Sequence, residues 1–174
     1  MLGRYENFPE VVHGVAQFSH SISSSALQHM ILQTFHQLNH ERRKIGEVTP
    51  IAPSECEASF EFGLAEGSAF NYLDKDEVDG ALKTVGKKAL ETLDFFCAVR
   101  YHAADKVKRS RLKFDYYLLR FMFDRGKTEM RIFHERGPRR VSPEELLVFL
   151  VRDINKGLSR NRARSLNVKN LRAL

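Results

Sequence analysis

From Cys56 to Leu64 the chain alternates. Cys56, Ala58, Phe60, Phe62 and Leu64 fall on one side, and Glu55, Glu57, Ser59 and Glu61 on the other. Successive side chains of a strand point to opposite faces, so this pattern predicts a half-buried strand with a dry face and an acidic outer face. The dry face needs a cover, and segments with helical spacing stand on either side of it. Leu27, Met30, Ile31, Phe35 and Leu38 recur by threes and fours after the serine cluster Ser21–Ser25, whose hydroxyls suit a helix start. That helix is expected to run to Ile45-Gly46, with Arg42, Arg43 and Lys44 at the negative end of its dipole. A shorter helix is expected before it, from Pro9 and Glu10 through Phe18.

Beyond the alternating strand, Glu66-Gly67 reads as a turn and Ser68 to Leu73 as a short partner strand. Asp74 then opens a helix whose first turns are acidic and whose buried side is Val78, Leu82, Val85, Ala89 and Leu93. Alternation returns at Phe95, Cys97, Val99 and Tyr101 against Phe96, Ala98, Arg100 and His102. Leu112 to Phe123 and Thr128 to Glu135 form a hairpin through Asp124-Arg125-Gly126-Lys127. Ser142-Pro143-Glu144-Glu145 starts a last helix, with Gly157 at its end. The expected fold is α+β, in the order αα-ββ-α-βββ-α, with an antiparallel sheet of about five strands packed against helices. Residues 1–157 make the domain. Residues 158–174 make a basic tail, read either as an amphipathic helix that forms on a partner or as a solvated end.

Charge divides the chain. Residues 1–99 carry a net −6 and residues 100–174 a net +12. A basic region of that size attracts nucleic acid or an acidic protein surface, and salt weakens the attraction. The acidic half offers the same chain as its own partner, which makes a homo-oligomer such as a homodimer an expectation too. The basic residues resolve into three places. Lys106, Lys108, Arg109, Arg111 and Lys113 form a loop, Arg160, Arg162 and Arg164 lie in the tail, and an arginine pair falls on the hairpin.

The arginine pair follows from register. A two-residue turn between Asp124 and Lys127 sets Tyr117 opposite His134, Leu119 opposite Ile132 and Phe121 opposite Met130 on the core side. The other side then pairs Tyr116 with Glu135, Leu118 with Phe133, Arg120 with Arg131 and Met122 with Glu129. Like charges placed opposite one another are unfavourable and invite an anion. Tyr116 and Phe133 add flat faces for stacking, the combination with which open sheets hold single-stranded nucleic acid. Arg100 adds a further cation. The expected function is therefore an RNA- or single-stranded-DNA-binding accessory protein using the basic half. Two alternatives stand beside it. One is a small-ligand protein or enzyme with an anionic substrate near Arg100, His102, Arg120 and His134, and the other is a homo-oligomeric interaction protein.

No motif fixes a reaction or requires a cofactor. His36 and His40 have the i, i+4 spacing of helix-borne metal ligands, yet Gln37 stands where a zinc-protease helix has Glu. Gly126-Lys127-Thr128 resembles the end of a P-loop, but Phe121 occupies the position of its first glycine. Cys56 and Cys97 are too few for a disulfide framework, which points to a reducing, cytoplasmic compartment. The opening Met1-Leu2-Gly3-Arg4-Tyr5-Glu6 does not read as a signal peptide, and no apolar run is long enough to span a membrane.

Overall fold

The alternating segment is strand β3, Cys56–Glu66, near one side of a larger sheet than the pattern alone foretold. The computed structural model describes residues 1–50, 56–103 and 114–174. Their order is β1 Gly14–Ser19, α1 Ser24–Leu38, β2 Arg42–Lys44, α2 Ile45–Val48, β3, β4 Ala69–Tyr72, α3 Lys75–Lys87, β5 Thr92–Ala103, β6 Phe114–Asp124, β7 Lys127–Arg136, α4 Pro143–Arg160 and β8 Asn167–Ala173. The fold is α+β. Eight strands form one sheet in the order β2-β3-β5-β6-β7-β1-β8, with β4 paired to β3, and all of these pairings are antiparallel.

One face of the sheet packs against the helices. Phe35 of α1 stacks on Phe62 at 4.3 Å and meets Phe95 edge-on at 4.8 Å, and Phe149 of α4 stacks on Phe60 at 5.3 Å. All five rings are buried, each contributing about 1.5–3 kcal/mol by leaving water. The helix starts are those the sequence marks. Ser23, Asp74 and Ser142 accept hydrogen bonds from the N–H groups of Ala26, Glu77 and Glu145, and Glu145 completes a capping box.

Four expectations are corrected. Residues 9–18 are not a helix: Gly14–Ser19 is β1, whose Ala16 and Phe18 point into the core. The same apolar residues fit a period of two, and Gly14 permits close pairing, since a Cβ there would stand 2.9 Å from Ile132 Cγ2. α1 stops at Leu38 because Asn39 is drawn sideways. Its amide donates to the Leu73 carbonyl and accepts from the Phe62 N–H. The basic run 42–44 is therefore strand β2, with the Arg42 guanidinium 3.9 Å from the Glu57 carboxylate of the acidic strand. Among the described residues the sheet has eight strands rather than about five, because both ends of the chain and the run 42–44 join it. Finally, α4 runs on to Arg160, and residues 167–173 form β8 along β1 rather than a helix or a solvated end. Leu158 and Leu166, beyond the expected helix end, are buried.

The hairpin keeps the expected register from Tyr117–His134 to Asp124–Lys127. A bulge at Tyr116 shifts the next pair, so Tyr116 faces Arg136 instead of Glu135.

Candidate nucleic-acid interface

The sheet face away from the helices is built by alternate residues of β3, β5, β6 and β7. The chain's own N-terminus crosses it. Residues 2–5 fit where β3 and β5 diverge: the Gly3 N–H donates to the Ala65 carbonyl, and the Gly3 carbonyl accepts from the Asp94 N–H. The segment then passes over β6 and reaches β7, where the His13 N–H donates to the Ile132 carbonyl. The His13 ring stacks on Phe133 at 4.6 Å, and its Nδ1 accepts from the His134 N–H. Burial first, then Arg139 and His134, lower the His13 pKa and favour the neutral ring this hydrogen bond requires.

Beneath this strap lies Arg120. Its Nε and Nη2 donate to the two oxygens of Asp94 at 2.8 and 2.7 Å, and Nη2 also donates to the Tyr5 carbonyl. The Tyr5 N–H donates to Asp94 as well, and the Phe8 ring lies 4.2 Å from the guanidinium carbon. Asp94 is wholly buried and the Arg120 side chain is 18% exposed. Arg120 and Arg131 are register partners, as expected, but do not share an anion. Arg120 is neutralised from β5, and Arg131 is held by Glu129 at 2.9 Å on its own strand.

Beside the strap, whose Tyr5 ring packs on Phe70 at 4.6 Å, the same face is aromatic. Phe70 of β4, Phe96 of β5, and Tyr116 and Phe114 of β6 form a continuous row with centroid spacings of 5.8, 5.5 and 5.9 Å. Each ring is half-buried. The guanidinium of Arg100 lies over Phe114 at 4.8 Å and that of Arg136 over Tyr116 at 5.1 Å. Arg100 also pairs with Glu61 at 3.2 Å. Beside it, Ser59 Oγ and His102 Nε2 are 2.8 Å apart. Burial first, then Arg42 and Arg100, lower the His102 pKa and favour a neutral imidazole.

Of the residues marked in the sequence, this platform gathers Arg100 and Tyr116. Phe133 lies under His13. Arg160, Arg162 and Arg164 are exposed, with Arg160 lining a cleft among the helices, away from the platform. Lys106, Lys108, Arg109, Arg111 and Lys113 lie outside the described residues, in the connection between Ala103 and Phe114. Phe70, Phe96, Phe114 and Arg136 belong to the platform and were not marked. Phe96 shares the alternation of Arg100, whereas Arg136 reaches Tyr116 only through the bulge.

His134 belongs to the opposite face from Arg100 and His102, so these three do not converge on one pocket. His134 Nε2 stands 2.8 Å from Asp115, which is buried and also accepts from Tyr101 Oη and the N–H groups of Arg139 and Arg140. That carboxylate pins the turn after β7, where a side chain at Gly137 would collide with the Phe114 carbonyl. The His36 and His40 rings are 5.1 Å apart, and among the described residues no group of three or more His, Cys, Asp or Glu is placed to hold a metal ion. No described helix is long and apolar enough to cross a membrane. No protein-family model, curated protein or solved structure matches the chain.

Proposed function

We propose that this protein binds single-stranded nucleic acid, RNA or DNA, on the part of its open sheet face beside the strap. The observation that carries the reading is the continuous row Phe70–Phe96–Tyr116–Phe114 with Arg100 and Arg136 lying over its β6 rings. Bases stack on half-exposed rings with little regard to sequence, and arginines beside them hold phosphates or stack in turn. The sequence between Ala103 and Phe114 carries five further Lys and Arg residues, which suits a polyanionic ligand. The protein's role in this reading is binding, with salt-dependent affinity and little sequence preference.

The test is fluorescence anisotropy with a labelled single-stranded RNA and its DNA counterpart across a salt series. Binding should weaken steeply with salt. Tyr116→Ala should weaken it about 5- to 150-fold, the range expected for loss of one stacked base. Thermal unfolding controls for stability. Unchanged affinity in a folded Tyr116→Ala variant would refute the platform. So would a protein that self-associates through this face and takes up no oligonucleotide.

A further inference from the structure

On the helix side of the sheet, remote from the platform, α1, β2 and α4 enclose a cleft of about 240 Å³. In its wall α4 packs tightly on α1: a Cβ on Gly157 would stand 2.5 Å from Met30 Sδ. Its polar lining is unbalanced. Asp153 of α4 has a side chain only 6% exposed, and its Oδ2 accepts from Arg43 Nη2 at 2.8 Å. Its Oδ1 is shut from solvent and accepts no hydrogen bond. Lys156 Nζ stands off Oδ1 at 3.9 Å on a side chain that is half exposed. Glu41, the other acid of the cleft, has both oxygens engaged, by Gln37 and Arg43. A buried carboxylate oxygen without a donor costs free energy, so its place in a cleft wall points to a donor that arrives from outside.

The cations define the rest of the ligand. Lys156 and Arg160 are four residues apart on α4, on one face and about one helical turn from each other. Among the described residues neither makes an ion pair within hydrogen-bonding distance. One acceptor without a donor, one cation that stands 3.9 Å off and one exposed cation match a molecule with one ammonium and two carboxylates. A five-carbon amino diacid in extended form spaces its carboxylates by about one turn, ~5 Å.

We infer that this cleft binds an acidic amino acid of the glutamate class. The ligand's ammonium donates to Asp153 Oδ1. Its two carboxylates take Lys156 and Arg160, and Lys156 swings off Asp153 to admit it.

The test is isothermal titration calorimetry of the full chain with L-glutamate, glutarate and L-glutamine as probes. L-glutamate should bind saturably at millimolar concentration or below. Glutarate, which lacks the ammonium, and L-glutamine, which lacks the second carboxylate, should each bind at least about tenfold more weakly. Arg160→Ala, at an exposed position, should keep the fold and lose about tenfold in glutamate affinity. Asp153→Asn, where it folds, should erase the preference for glutamate over glutarate. Absence of saturable heat with L-glutamate would overturn the inference. Equal binding of glutamate and glutarate would mean that the cations hold only an adventitious ion, and would overturn it too. A folded Arg160→Ala variant with unchanged affinity would do the same. None of these results bears on the sheet platform, whose failure would show only in oligonucleotide binding.

Discussion

Asp94 and Phe96 are two residues apart on the same strand and point to the same face, yet they belong to different kinds of surface. At Asp94 the face is closed. A wholly buried carboxylate meets Arg120, and the N-terminal strap covers both. At Phe96 the face carries half-buried rings with guanidiniums resting on two of them. The contrast shows that position on an open sheet face does not make an arginine a binding residue. Arg120 is surrounded by partners from β5 and the strap, so its charge serves the fold. Arg100 and Arg136 lie over rings at the edge of water, where a ligand can compete for them.

The strongest way to break this comparison is to remove Arg120. Arg120→Ala leaves Asp94 buried without its counter-ion and should cost about 3–5 kcal/mol in urea unfolding. Its effect on oligonucleotide binding, measured where the variant is still folded, should be slight. A loss below about 1 kcal/mol, or a selective loss of binding, would place Arg120 with the platform instead. Next in size is Phe8→Ala, which strips the ring from the guanidinium and loosens the strap. It should cost about 1–2 kcal/mol, from a part-desolvated cation–π contact and lost apolar burial. An unchanged unfolding midpoint would mean that the strap does not hold Arg120 in place.

Much of this was legible in the sequence, for physical reasons that differ by element. The hairpin register was readable because a two-residue turn and a period of two leave little freedom, and the helix starts were readable because caps act locally. The ends of the chain were not readable. Gly14–Ser19 and Asn167–Ala173 become strands only by pairing with β7 and with each other, across more than a hundred residues of sequence. The partner of Arg120 was hidden for the same reason, since Asp94 comes from a strand whose register no turn fixes. Within the platform, Arg100 and Tyr116 were marked by residue type, whereas Arg136 depends on a bulge that shifts Glu135 out of register.

That bulge supplies a sharper probe of the open half. Arg136→Ala should leave stability within about 0.5 kcal/mol, as an exposed substitution does. If Arg136 holds a phosphate, the slope of log affinity against log salt should fall by about one. An unaltered slope together with unaltered affinity would remove Arg136 from the interface and leave stacking to carry the binding.

The finest test addresses how the closed half is fastened. His13 has a lowered pKa in the fold, from burial first and then Arg139 and His134, against about 6.5 for the free side chain. Below that value the unfolded chain takes up the proton more readily than the folded one. The stabilisation from a neutral His13 is therefore complete above about pH 6.5 and is lost as pH falls through the folded value. His102 shifts in the same direction and adds to the slope. His13→Asn keeps an acceptor for the His134 N–H but cannot titrate, so its stability loss between neutral and mildly acidic pH should be shallower than that of the unaltered protein. The difference in slope is bounded by one proton, about 1.4 kcal/mol per pH unit. Because His13 anchors the end of the strap that rests on Phe133, acidification should also free that ring before it disturbs Phe96 and Tyr116. Two-dimensional NMR of the aromatic resonances across this pH range would show it. Simultaneous shifts of Phe133, Phe96 and Tyr116 would mean that the strap and the platform respond as one unit, and the division of the face at β6 would fail.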